Sequence, residues 1–291
     1  MITPVRLEGG ERSQGARMLS IVTVLVYGLV FCLGAAIGSF LSVVVHRVPL
    51  GRSIVLPPSH CPFCQHRLTP AENFPILGWL RLKGRCSACK TPIPLRYPLL
   101  ELVCGLAFVG IFGLCGVSWQ TLGLWAFFSW LFALAWIDLE TMTLPNPLTQ
   151  TGLVVGLVMQ AWLGFAANGA IAEALAQLMT GVLGVVVGIW LVEAISLLGT
   201  YALGKTAMGA GDAKLAAMMG AWLGWPLLLL AGFLACAIGA FAGGAAIATG
   251  RLNRQQPFPF GPFLAMGGMI AAIWGHGLIQ FYLQTFFPTL G

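Results

Sequence analysis

Aspartate is used only twice in this chain of 291 residues, at Asp138 and Asp212. Two carboxylates held within hydrogen-bonding distance cannot easily both ionise, so they share a proton. One can then serve as the base that activates water, the other as the acid that protonates a leaving amine. Gly209 and Gly211 remove side chains beside Asp212 and leave room for a substrate backbone to approach. Lys214, two residues further on, is placed to pair with a carboxylate or to face lipid headgroups. A single aspartate at a helix end near a membrane serves equally well as a cap or a packing acceptor. It is the pair, in a chain that otherwise avoids the residue, that points to proton chemistry.

The second constellation is sulfur. Cys61-Pro62-Phe63-Cys64 and Cys86-Ser87-Ala88-Cys89 are two CxxC turns with 21 residues between them, residues 65 to 85. Four-cysteine zinc sites typically place roughly 15–20 residues there. Two such turns can present four thiolates tetrahedrally, and a small basic loop with little apolar core needs a staple of that kind. Disulfides are the alternative, and a reducing compartment disfavours them. His60 and His66 flank the site but are surplus to a four-cysteine set. Cys32, Cys104, Cys115 and Cys236 fall in apolar runs, where a free thiol acts as a small buried hydrophobe.

The elements that must position these groups follow from composition. Of the residues, 58% are hydrophobic and 8% charged, with a mean hydropathy of +0.89. A soluble domain carries roughly 25% charge, so lipid must solvate much of this surface, and the chain is an all-α polytopic membrane protein. Residues 1–17 form a polar tail, and 18–45 a first transmembrane helix too long for a signal h-region. Residues 46–98, basic and rich in proline, make a polar loop that holds both CxxC turns, and 99–291 form a multi-helix membrane domain. Apolar runs at 99–117, 119–137, 148–166, 174–199, 213–224, 227–249 and 263–287 bring the count to about eight helices. The sixth, 213–224, is too short to cross unaided and must be buried in protein.

Orientation follows from charge. If the eight segments alternate, one side carries Arg47, Arg52, the loop cations from Arg67 to Arg96, Lys205, Lys214, Arg251 and Arg254. The opposite connections, near 118, 167–173 and 225–226, carry no Lys or Arg. The positive-inside rule therefore predicts a cytoplasmic cysteine loop, and with it a cytoplasmic placement of both aspartates. On such a protein the net charge of +6 speaks to topology and membrane lipids, not to nucleic acid.

Gly209-Ala210-Gly211-Asp212 resembles the GxGD signature of intramembrane-type aspartyl proteases. The longer stretch through Lys214-Leu215, with Gly220-Ala221-Trp222-Leu223-Gly224-Trp225, is similar to the bacterial prepilin peptidases, or type IV leader peptidases. So are Gly38-Ser39-Phe40-Leu41, the Asp138 segment, Phe260-Gly261-Pro262 and the loop motifs Glu72-Asn73-Phe74-Pro75 and Arg96-Tyr97-Pro98. Relatives often carry a second aspartate after the Leu-Pro, where this chain has Asn146. The resemblance implies an inner-membrane aspartyl endopeptidase with Asp138 and Asp212 as its catalytic pair. It would cut the leaders of type IV prepilins or type II secretion pseudopilins on the cytoplasmic side. The tetracysteine loop implies a bifunctional member that also N-methylates the new N-terminus with S-adenosylmethionine. Glu72 and Arg96, beside the knuckles, are the candidates to assist that transfer. A peptidase without methyl transfer, or an ion- or proton-coupled transporter with a zinc docking loop, are the alternatives.

Overall fold

The computed structural model describes residues 8–203, 209–250 and 259–287, with only the backbone at 8–19 and 202–203. Among them are eight helices: α1 (Glu8–Arg47), α2 (Leu77–Arg81), α3 (Arg96–Cys115), α4 (Trp119–Thr141), α5 (Asn146–Asn168), α6 (Ile171–Leu203), α7 (Ala210–Ala248) and α8 (Gly261–Phe286). All except the one-turn α2 are long and apolar enough to cross a membrane. Helix α1 already begins at Glu8, inside the expected polar tail, and its apolar span is Ser20–Arg47. Lys205, Arg251 and Arg254, used in the orientation argument, lie outside the described residues.

The chain divides into two compact units, Met1–Ser42 with Val55–Val117, and Val43–Ile54 with Ser118–Gly291. In the first, α1 and α3 pack through small residues. A Cβ on Gly34 would lie 2.8 Å from the carbonyl of Cys104, and one on Gly105 would lie 2.6 Å from the ring of Phe31. With lipid on the outside no hydrophobic force drives helices together, so close backbone approach supplies the attraction. Between these helices runs the cysteine loop.

In the second unit the feature that organises everything is the break in α7. Gly224 has φ 71° and ψ 170°, which no helix contains, and Pro226 follows it. The contacts of α8 show what this break does. Before the break, a Cβ on Gly268 would meet Met219 at 2.7 Å. Beyond it the order runs backwards along α8: Leu227 lies against Gly275, Ala231 and Ala235 against Gly267, and Gly239 against Phe263. So α7 is a helical hairpin. The expected sixth and seventh segments are its two antiparallel arms, and seven long helices supply eight legs.

The short first arm sits in the centre of this unit. Leu215, Met218, Met219 and Ala221 are fully buried, as the burial rule for a short segment at membrane depth requires. It touches α6 where Gly184 and Gly220 pack backbone to backbone, and again where Gly188 meets Ala216. On α5, Gly152 faces Met218 and Gly156 faces the Trp222 ring. Two part-buried bonds fix its depth: Trp222 Nε1 donates to the Gly152 carbonyl, and Gln160 Nε2 donates to the Trp222 carbonyl, both at 2.8 Å. Phe127, Leu131 and Leu134 of α4 complete the core.

Candidate functional site

The hairpin in α7 delivers Asp212 and the start of α8 to one end of the second unit. Asp138 stands one turn before the end of α4, where Met142 adopts a left-handed backbone, φ 51°, and returns its N–H to the Asp138 carbonyl. The chain then runs through Leu144 to Asn146, and both residues brace the beginning of α7. A Cβ on Gly211 would lie 3.2 Å from Leu144, and Lys214 Nζ donates to Asn146 Oδ1 at 2.7 Å. Asp212 is the third residue of α7 and its Oδ2 accepts the N–H of Gly209 at 3.3 Å, an N-terminal cap. It lies close enough to Asp138 for the two charges to act on one another. The two aspartates, far apart in sequence, are thus brought to the same end of this unit.

Asp138 is 6% exposed, and its Oδ2 accepts the backbone N–H of Gly261 at 3.0 Å in a buried bond. The Phe260-Gly261-Pro262 motif carries no ionisable group, so sequence reasoning gave it no part in the site. Of the other predicted residues, Gly211 is filled against by Leu144, and Lys214 is held by an amide oxygen rather than by a carboxylate. Glu140 accepts the indole N–H of Trp136 at 3.0 Å.

The four cysteines of the first unit converge. All four Sγ atoms lie within 4.8 Å of one another, with Cys61–Cys89 at 3.7 Å and Cys64–Cys86 at 3.9 Å. A tetrahedron with Zn–S bonds of about 2.3 Å has edges of about 3.8 Å, so the set fits a zinc ion. The two knuckles share one backbone plan. Cys61 N–H donates to the His66 carbonyl and Cys86 N–H to that of Thr91, both at 2.9 Å. Gln65 and Lys90, each directly after the second cysteine of its turn, are left-handed at φ 60° and 59°. The hydroxyl and then the backbone N–H of Thr91 pull the Cys89 thiol down to about 6. Backbone N–H groups of Cys64 and Phe63 lower that of Cys61. These two thiols are ready to become the thiolates a metal needs, whereas Cys64 is pushed up to about 11.

The two methyl-transfer candidates are both engaged. Glu72 Oε2 accepts the N–H and hydroxyl of Thr69 at 2.8 and 3.0 Å and faces His66 Nε2 at 3.4 Å. The nearby Ser87 hydroxyl, which makes no well-aligned hydrogen bond, and then Thr69 hold this carboxyl at about 2. The Arg96 guanidinium lies 5.2 Å over the ring of Tyr97. Unanticipated is the work of Glu101, 8% exposed on α3, whose Oε2 takes the N–H of Ile76 at 2.6 Å. Ile76 has φ 59°, a conformation a β-branched residue adopts only under constraint. That buried carboxylate therefore anchors the loop and is not available to attract a basic ligand.

Comparison with known proteins places the chain in a family. Residues 32–114 match the bacterial peptidase A24 N-terminal domain, and residues 125–244 match the type IV leader peptidase family. A prepilin leader peptidase/N-methyltransferase of Aeromonas hydrophila is 36% identical over 286 residues, covering 90% of this chain and 95% of the relative. Those of Stutzerimonas stutzeri and Bacillus subtilis (strain 168) are 36% and 35% identical. They span 87% and 88% of this chain, and 92% and 97% of their own lengths. No solved structure matches. A transporter has no place in such company: this chain is an enzyme of the inner membrane and belongs to the type IV leader peptidase family.

Proposed function

We propose that this enzyme cleaves the leader from type IV prepilins or type II secretion pseudopilins at the cytoplasmic face, using Asp138 and Asp212, and N-methylates the new N-terminus. The observation that carries the peptidase reading is the meeting of the chain's two aspartates at one end of a buried helical hairpin, each held by a backbone N–H. A water between them gives its proton to one carboxylate and adds its oxygen to the scissile carbonyl. The other carboxyl protonates the leaving nitrogen as the C–N bond breaks. Gly209 places no side chain between substrate and Asp212, whereas the open side of Gly211 is taken by Leu144. The names of the relatives and the density of cations beside the expected cytoplasmic ends support the substrate class and the sidedness.

Zinc bound by Cys61, Cys64, Cys86 and Cys89 would hold the loop's two knuckles together and take no part in cleavage. For the methyl donor, S-adenosylmethionine, the fit is poorer: the oxygen Oε2 of Glu72 is already occupied by Thr69 and His66, so Glu72 acts first on the loop's own geometry. The test is to incubate purified protein with a prepilin and S-adenosylmethionine and to follow cleavage and methylation separately. Cleavage with methylation is expected. Cleavage alone would assign a peptidase without transferase activity, and neither product would refute the proposal.

A further inference from the structure

Every donor at the start of α8 can be accounted for. A helix leaves its first N–H groups without partners in its own ladder. Phe263 and Leu264 both return theirs to the Phe260 carbonyl, at 3.0 and 3.1 Å, and Pro262 has none. One donor is left, the N–H of Gly261, and Asp138 Oδ2 takes it. The placement is built from several sides. Phe260 and Phe263 lie against Gly239 on the returning arm of α7, and Gly268 lies against Leu131 and Met219, which sets the depth of α8. Only glycine leaves the carboxylate undisturbed. A Cβ at position 261 would stand 2.6 Å from Asp138 Oδ2, 3.0 Å from its Cγ and 3.2 Å from its Cβ.

We propose that Gly261 is a positioning residue for peptide cleavage: its N–H fixes Oδ2 of Asp138 as an acceptor, so that Oδ1 is the oxygen presented to water. This rests on the reading of Asp138 and Asp212 as the catalytic pair and assigns their roles. The N–H and the positive end of α8 stabilise the carboxylate form of Asp138. The longer cap at Asp212, 3.3 Å from a donor on its own turn, leaves that residue as the carrier of the shared proton. In the first step water's proton moves to Asp138 Oδ1 and its oxygen bonds to the carbonyl carbon. In the second, Asp212 gives its proton to the nitrogen as the C–N bond breaks. Transfer of the proton from Asp138 back to Asp212 resets the pair, and the balance is one water and one peptide bond consumed for one acid and one amine.

Two changes at position 261 test this in the full-length enzyme. Gly261→Ala pushes against the mobile end of a side chain, so the helix can stay in place while the carboxylate turns away. Incorporating glycolic acid at 261 replaces the N–H with an ester oxygen and adds no atom at Cα. Both should lower kcat for prepilin cleavage about 100-fold, the usual loss for one preorganised donor, with KM, thermal stability and methylation of a pre-cleaved pilin unchanged. Gly275→Ala is the structural control, since its Cβ would meet the Leu227 side chain about four turns along α8 from Gly261; it should lower stability, with activity falling only in step with the folded fraction. Unchanged kcat in the ester variant, or a loss at 261 that appears only in KM or only as unfolding, overturns the proposal. Asn variants of the two aspartates tell the failures apart: if these are inactive while the 261 variants are normal, only the positioning role falls.

Discussion

Lys214 and Asn146 are joined across 68 residues of sequence by a 2.7 Å hydrogen bond that ties the first turn of α7 to the first turn of α5. The bond lies beside the aspartates without including either. At position 146 the lysine faces a neutral amide, where an aspartate would offer it a charge. Asn146→Asp should turn the bond into an ion pair and leave prepilin cleavage within about threefold of the parent, since a partly exposed pair adds at most about 1 kcal/mol. Lys214→Met should cost more, reducing cleavage severalfold by loosening the turn that carries Asp212. Cleavage rates of the two variants, measured side by side, check both.

The metal site makes a prediction of its own. Purified protein should contain about one zinc per chain, and Cys61→Ser or Cys86→Ser should release it, because a four-thiolate site has no spare ligand. The loop should then become protease-sensitive while the helices of the second unit stay folded. Metal analysis and limited proteolysis provide the readouts.

Stripping the zinc exposes a difference among the thiols. Cys89, drawn down to about 6 by Thr91, is largely thiolate at pH 7, and it is exposed. Cys86 is buried. Alkylation of chelated protein at pH 7 should label Cys89 severalfold faster than an ordinary exposed cysteine, the gain in thiolate being partly offset by lower intrinsic nucleophilicity. The advantage should fade as pH falls below 6, where the thiol reprotonates. Peptide mapping of the labelled protein would show the order of reaction.

Glu101 and Ile76 define a fourth test. Glu101→Ala leaves the Ile76 N–H without its acceptor and should cost about 1–3 kcal/mol, read as a lower melting temperature and easier loss of zinc. Glu101→Gln keeps an oxygen in place and should recover most of the loss. Equal damage from both would mean that the charge, rather than the bond, matters.

Much of this was legible in the sequence, and the reasons are physical. Long apolar runs report spans because lipid admits little else, so α3, α4, α5 and α8 fall near their expected places. The cysteines were legible because a metal site needs its ligands in two short turns. The expected short sixth segment was right as an arm, but its fold-back on the next is set by the left-handed backbone at Gly224 and by contacts from α8, and neither shows in hydropathy. Gly261 was hidden for a different reason. Its function is carried by a backbone N–H that every residue but proline has, and only the positions of Pro262 and Asp138 make that donor special. Glu101 was hidden because an acid in the second turn of a helix looks the same in sequence whether it faces water or a buried amide.

The central claim is that Asp138 and Asp212 together carry out hydrolysis, and the most direct measurement is single-turnover cleavage of a prepilin by Asp138→Asn and Asp212→Asn. Both substitutions keep the shape of the side chain and remove its proton chemistry. Each variant should lose about 1,000-fold or more in rate, within the range for a removed acid or base, while still binding substrate and methylating a pre-cleaved pilin. Cleavage at the parent rate by either variant would contradict the account.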